Sequence, residues 1–339
     1  MKLVTYLNSK GEEKLGVLTP QEGVIDVGTA LEWLNNQPGA RQRIFVPFDM
    51  LTLIREQADV LPALRQLLAL ESKGELPQNL LVKDKVRLIS PIPRPVSMRD
   101  GYAFRQHVEA ARRNRGVPMI PEFDHFPVFY FTNHLAVTGP GDLPVQKQAQ
   151  EKLDFELEVA VVIGKHGRNI PASKADDFIF GYTIMNDWSA RALQIEEMKL
   201  NLGPAKGKDF ATSLGPYLVT RDELDPVTIK GPSGERHDLK MLAFVNGIKV
   251  SEGNVKDMTW TFAQILERAS YGVTLHPGEV IGSGTVGTGC FLELNGSKIT
   301  DNQWLKPGDH VVMEVERLGR LENTIVNAPE TFDDTAGSR

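Results

Sequence analysis

The sequence predicts a mostly β protein with helices, an α+β chain that opens with a small N-terminal unit. Three observations predict it. Short strand-like runs separated by polar turns occupy residues 3–7, 15–18 and 24–27. In mid-chain, Leu153-Asp154-Phe155-Glu156-Leu157-Glu158-Val159 alternates apolar and acidic residues, then runs on apolar to Ile163. In the last third, residues 243–250 and 291–297 each carry Asn-Gly between extended runs, a hairpin signal.

Composition sets the outer bounds. A chain of 339 residues, 41% apolar and 24% charged, has the make-up of a globular protein with one large or two ordinary cores. Net charge is −6, and Arg112-Arg113-Asn114-Arg115 is the densest basic run. No nucleic-acid or anionic-membrane partner is expected, because either would want a basic patch. No apolar stretch approaches a membrane span, and no signal peptide is read at the N-terminus, so the expected location is the cytoplasm. The single cysteine, Cys290, excludes an intramolecular disulfide and a Cys-based zinc site.

Taken in order, residues 1–88 form the small α+β unit. Residues 30–34 and 60–70 have helical spacing, with Pro62 near the start of the second helix. Pro91-Ile92-Pro93-Arg94-Pro95 excludes regular helix, and residues 89–339 form the second domain. Past it, Phe104, Val108 and Ala111 fall at i, i+4 and i+7, a buried helical stripe. His107 lies within that stripe and Asp100 at the helix entrance. A histidine on such a face is either a core residue with one satisfied nitrogen or a working group.

The alternation at 153–159 puts Leu153, Phe155, Leu157 and Val159 on one strand face and Asp154, Glu156 and Glu158 on the other. Carboxylates two apart on a strand stand roughly 7 Å from each other. Either that face is solvated, or a cation neutralises it. Residues 178–185 form a second buried strand feeding a helix. On that helix Asp187, Arg191 and Gln194 share a face, with Asp187 at its start as a cap or ion-pair partner. The loop Gly203-Pro204-Ala205-Lys206-Gly207-Lys208-Asp209 is rejected as a phosphate loop. Its spacing is wrong, and Asp209 stands where a Ser or Thr would bind magnesium. Residues 261–269 read as a helix. Gly282-Ser283-Gly284-Thr285-Val286-Gly287 matches a dinucleotide pattern, but residues 290–294 after it read as a strand ending in a hairpin, not as the helix that pattern requires. The match is chance, or the glycines serve another tight backbone approach. Residues 333–339 are expected to fray.

Four carboxylates, Asp100, Glu156, Glu158 and Asp187, sit at the ends or faces of these elements. All-oxygen ligands suit a hard divalent cation such as Mg²⁺, Ca²⁺ or Mn²⁺. Spacing by itself does not establish the site.

The motifs Asp100-Gly101-Tyr102 with Arg105-Gln106-His107, Leu153 to Glu158, Met185-Asn186-Asp187-Trp188-Ser189-Ala190-Arg191, Gly207-Lys208-Asp209-Phe210 and Pro277 to Thr285 occur in one order. In that order the chain resembles the fumarylacetoacetate hydrolase family over about residues 100–327. The resemblance implies a β-sandwich roll behind a small leading domain, assembled as a homodimer. It implies a metal-dependent hydrolase that cleaves a carbon–carbon bond in a β-diketone acid, in aromatic catabolism, with Mg²⁺ or Ca²⁺ as cofactor and Mn²⁺ as a further option. Asp100, Glu156, Glu158 and Asp187 would hold the metal. His107 would be the general base and Glu293 its orienting partner. Arg191, Gln194 and Lys208 would meet the substrate or its oxyanion, and Tyr102, Tyr130 and Thr285 would line the pocket. Asp154 is assigned no metal role. Smaller relatives carry a Glu three residues after the histidine, where this chain has Ala110. Two other readings stand beside this one. The first keeps the metal site for decarboxylation, or for hydration or isomerisation of a 2-oxo acid. The second is a non-catalytic β module stapled by a cation.

Overall fold

The computed structural model describes residues 1–38, 43–82 and 86–329. Its backbone is a large twisted sheet packed on a smaller one. The large sheet has eleven strands, nine of them in the order Val24–Asp26, Glu13–Leu18, Lys2–Leu7, Thr212–Thr220, Ile179–Asp187, Leu157–Ile163, Val280–Gly282, Met98–Gly101 and Phe129–Thr132. Most neighbours are antiparallel; Val280–Gly282 pairs in parallel with Met98–Gly101. The five-stranded sheet runs Ile248–Asn254, Lys240–Val245, His310–Val315, Gly319–Asn327 and Gly141–Val145. The predicted β-rich α+β class is the observed one.

Both faces of the large sheet are covered. Along Leu157–Ile163, the residues Leu157, Val159, Val161 and Ile163 join the core between the two sheets. Ala160 and Val162 join a second core against the N-terminal helices Val27–Asn35, Met50–Arg55 and Gln57–Ser72. A strand buried on both faces reads as a continuous apolar run, which is why its sequence stops alternating after Glu158. The N-terminal unit is therefore continuous with the rest: Lys2–Leu7 pairs with Thr212–Thr220. Pro62 lies inside the helix Gln57–Ser72 rather than near its start.

Several elements differ from the sequence reading. Residues 291–296 are a helix, Phe291–Gly296, not the first arm of a hairpin. Asn-Gly favours a helix stop as well as a hairpin turn, and Phe291 decides between them by docking edge-on against Phe155 at 5.1 Å. Burying such a ring contributes about 1.5–3 kcal/mol. Asn246-Gly247 does form the expected hairpin between Lys240–Val245 and Ile248–Asn254. Asp187 ends the strand Ile179–Asp187 and does not cap a helix; the helix Arg191–Met198 starts after Ala190. Asp100 lies on the strand Met98–Gly101, not at the entrance of the helix Arg105–Asn114. On that helix Ala110, not Ala111, is the buried alanine beside His107 and Val108. The helix at 261–269 is present as Phe262–Ser270 with Thr261 as its cap. Residues 333–339 lie outside the described residues.

Candidate active site

Three of the four carboxylates lie on strands of the large sheet, Asp100 on Met98–Gly101, Glu158 on Leu157–Ile163 and Asp187 on Ile179–Asp187, and the fourth precedes one of them. Register places Leu157 opposite Asn186 and Glu158 opposite Met185, so Asp187 falls level with Glu156 and diagonal to Glu158. Glu156 lies just outside Leu157–Ile163, where its amide donates to Asn186 Oδ1 at 3.0 Å and breaks the strand. Asp100 pairs across Gly282. A Cβ on Gly282 would stand 2.3 Å from Asp100 Oδ1, and one on Gly284, whose φ is +77°, 2.6 Å from the Gly101 carbonyl oxygen. The glycines that mimic a dinucleotide motif therefore let two backbones close around Asp100, and the Gly284 amide donates to Asp100 Oδ1 at 3.1 Å.

Asp100, Glu156, Glu158 and Asp187 each offer a carboxylate oxygen within 4.8 Å of the others. All four are buried, Glu158 and Asp187 completely, so the acidic strand face is not solvated. Like charges held that close in low dielectric disfavour ionisation. Burial first, then Asp187, pushes the Asp100 carboxyl up to about 7. Burial and then Asp100 push Glu158 well above the usual range, and burial raises Asp187. Glu156 goes the other way, its burial outweighed by Lys208 and then Arg191. Glu158 Oε2 and Asp187 Oδ1 are buried without a hydrogen-bond partner. Orphaned buried carboxylate oxygens are costly, and a hard divalent cation bound by all four acids relieves both the repulsion and the orphans. The residues fit such an ion.

Basic groups meet this cage from one side. Lys208 Nζ donates to Asp187 Oδ2 at 2.6 Å and also to Glu156. Gly207 admits the lysine by packing where a Cβ would stand 2.7 Å from the Gln194 amide nitrogen. The amides of Ala205, Lys206 and Gly207 are taken by the Glu197 carboxylate, so this loop offers no phosphate cradle. Arg191 donates from Nη2 to Glu156 at 2.7 Å, from Nη1 to Gln194 Oε1 at 3.0 Å and from Nε to Asp154 at 2.9 Å. Tyr130 donates to Asp187 at 2.5 Å, and Thr285 Oγ1 to Glu158 at 3.4 Å.

The histidine comes from a different pair of elements. His107 on Arg105–Asn114 and Glu293 on Phe291–Gly296 meet with Nδ1 and Oε2 2.6 Å apart, both buried. Tyr102 packs edge-on against the imidazole at 5.7 Å. Asn114 Nδ2 donates to the Glu293 carbonyl at 3.3 Å, and Gly296 leaves room for the Asn114 side chain. Cys290 lies near His107 and Glu293, but burial pushes its thiol well up.

A cavity of about 1390 Å³ joins the two halves. Asp100, Glu156, His107, Lys208 and Arg191 line its floor, and Val128, Ile195, Met198 and Ile299 its outer wall. All twelve residues singled out from the sequence meet at or beside this cavity. Sequence reasoning missed Asp154 as a structural participant. It is completely buried and accepts from Arg191 and from the amides of Phe291 and Leu292. Burial raises its pKa, opposed by Arg191 and those amides.

Comparison with known proteins agrees with this geometry. The family model for the C-terminal region of fumarylacetoacetate (FAA) hydrolase matches residues 97–326. The chain is 30% identical over 288 residues to an oxaloacetate tautomerase of Bacillus subtilis, covering 83% of this chain and 87% of that one. It is 31% identical over 284 residues to a human mitochondrial oxaloacetate tautomerase, covering 83% and 81%. It is also 31% identical over 275 residues to a fumarylacetoacetase of Oryza sativa, covering 65% and 64%. Among solved structures, fumarylacetoacetate hydrolase from Exiguobacterium antarcticum superimposes with a TM-score of 0.69 at 24% identity, covering 97% of this chain and 100% of that one. Maleylpyruvate hydrolase from Sphingobium sp. SYK-6, in complex with manganese(II) and pyruvate, superimposes at 0.64 and 20% identity, with the same coverage. The chain belongs to the fumarylacetoacetate hydrolase family.

Proposed function

We propose that the protein is a divalent-metal-dependent hydrolase that splits a carbon–carbon bond in a β-diketo acid of the fumarylacetoacetate or acylpyruvate type. The observation that carries this reading is the buried His107–Glu293 pair, 2.6 Å apart, at the wall of a cavity whose floor is the four-carboxylate cage. Asp100, Glu156, Glu158 and Asp187 would hold Mg²⁺, Ca²⁺ or Mn²⁺. When bound, such an ion polarises a chelated carbonyl and steadies negative charge on its oxygen.

The chain's own groups do the remaining work. Glu293 accepts the Nδ1 proton of His107, which leaves the Nε2 lone pair to take a proton from water. Water adds to the carbonyl carbon, and the Lys208 and Arg191 charges favour the resulting oxyanion. Gln194 has its carbonyl oxygen taken by Arg191, so its amide hydrogens are free to donate to substrate. The carbon–carbon bond then breaks, and His107 returns its proton to the departing carbon. One water is consumed, and a carboxylic acid and a methyl ketone leave.

A second reading, keto–enol tautomerisation of a short 2-oxo diacid, is favoured by the names of the relatives that share 30–31% identity over 83% of this chain. The cavity of about 1390 Å³ has room for either substrate, since pockets of roughly 300–1,000 Å³ already enclose drug-sized ligands. One assay separates the two. Acylpyruvates, fumarylacetoacetate and oxaloacetate are each incubated with the protein, with and without EDTA. Two carboxylate-bearing fragments from a diketone support hydrolysis; accelerated loss of oxaloacetate enol with no cleaved diketone replaces it with tautomerisation. Metal-dependent stability with neither activity would leave the binding-module reading. The homodimer belongs to the same proposal, and light scattering on the purified chain tests it.

A further inference from the structure

We infer that Asp154 is a positioning residue that ties the substrate-binding side of the site to the His107–Glu293 pair. Its carboxylate receives four donors. Oδ1 accepts from the amides of Phe155 at 3.0 Å and Phe291 at 2.7 Å; Oδ2 accepts from Arg191 Nε at 2.9 Å and the Leu292 amide at 3.0 Å. A carboxylate has about four acceptor positions, and all are used. Asp154 lies behind the cavity wall with no exposed surface, and it is outside the group of acids that could hold an ion.

What Asp154 connects gives it its role. Arg191 reaches from it to Glu156 and Gln194, on the substrate side of the cavity. Phe291 and Leu292 open the short helix that carries Glu293, one residue further on, to His107. The strand pair that sets Asp154 opposite Ser189 places it two residues from Arg191 in register. The base pair and the cationic clamp come from distant parts of the chain, and one buried carboxylate holds both. Asparagine has nearly the same shape but cannot replace it. Its single oxygen offers about half the acceptor positions, and its NH₂ would face a donor. The orphaned donors would then shift either the guanidinium or the helix start. Groups that hold a working residue in place typically change activity by 10–100-fold when altered.

This inference rests on the reading of His107–Glu293 as the base of the reaction. The experiment uses the full chain with Asp154→Asn and Asp154→Ala, the near-isosteric variant serving if the alanine one fails to fold. Metal-stripped protein is loaded with Mn²⁺ and its stoichiometry read by electron paramagnetic resonance. Turnover is measured on the diketo acid that the unsubstituted protein splits. ¹⁵N spectra of the histidine rings report which nitrogen of His107 carries the proton. We expect unchanged Mn²⁺ stoichiometry and kcat lower by about 10–100-fold, with His107 no longer held as the single Nδ1–H tautomer. Adding Glu293→Gln to Asp154→Asn should lower kcat much less than Glu293→Gln does alone, because both act on one unit. Unchanged kcat, strictly additive effects or an unchanged His107 spectrum would overturn the inference; so would loss of Mn²⁺, which would show that Asp154 acts on the cage through Arg191 and Glu156. If the unsubstituted protein turns over no oxo acid, the reading of function fails by itself, and the His107 spectrum still decides for or against Asp154.

Discussion

Lys208 Nζ stands 2.6 Å from Asp187 Oδ2, fully inside the protein, and its second partner is Glu156. Burial works against a charged lysine, yet Asp187 and then Glu156 hold its pKa above the usual value. The ammonium therefore occupies one side of a cage whose other oxygens, on Glu158 and Asp187, lack partners. Two fixed cations from the chain, Lys208 and Arg191, and one divalent ion balance four acids.

Lys208→Met should separate catalysis from ion binding. Removing this charge leaves Glu156 and Asp187 more negative, so Mn²⁺ affinity should hold or rise, while kcat falls about 10²–10³-fold through loss of an oxyanion partner. Weaker Mn²⁺ binding by calorimetry would show that Lys208 supports the cage instead.

The ion should also stabilise the fold. A ligand at 100 times its dissociation constant contributes about 2.7 kcal/mol, so EDTA should lower Tm and Mg²⁺, Ca²⁺ or Mn²⁺ should restore it. Glu158→Gln should abolish this response because it removes one of the two cage acids with an orphaned oxygen. A scan in which Glu158→Gln still responds to the cations would exclude Glu158 as a ligand.

His107→Ala should lower turnover by about 10²–10⁴-fold and leave the metal-induced rise in Tm intact, since His107 is outside the cage. Glu293→Gln should reproduce part of that loss. An unchanged rate in His107→Ala removes the imidazole from the reaction.

A second histidine makes a prediction about stability and pH. His237 bonds Tyr182 at 2.8 Å and Thr228 at 3.0 Å deep in the core, and burial pushes its pKa down to about 4. Its ordinary value is about 6.5. Between those values the unfolded chain takes the proton and the folded one does not, so stability is fully present above about pH 6.5 and lost as pH falls toward 4, by roughly 3 kcal/mol. The gap in Tm between the unsubstituted protein and His237→Gln should therefore be wider at pH 7.5 than at pH 4.5. A constant gap would mean that His237 takes up its proton as readily in the folded state as in the unfolded one.

The residues of the site were legible in the sequence because their chemistry is local. Glu156 and Glu158 lie in one short run, Asp187 and Arg191 in another, and motif order linked the runs. Their settings were less legible. The sequence points Asp187 and Asp100 to helix starts, because a polar residue before an apolar run looks the same at the end of a strand as at a cap. Phe291–Gly296 reads as a hairpin arm because six residues are too few to separate a period of two from one of 3.6.

By itself the sequence determined that strands and helices mix in one α+β chain, that Asn246-Gly247 turns a hairpin, and that acids, a histidine and basic residues recur in one family's order. Those properties are carried by neighbouring residues and by composition. Tertiary structure alone decided that the acidic face is dry, that two acids keep orphaned oxygens, and that Asp154 joins Arg191 to the helix of Glu293. Each depends on which groups lie across a sheet or cavity at a few ångströms. Residues 137 and 37 positions apart, as Asp154 is from Phe291 and from Arg191, meet only once the chain has folded.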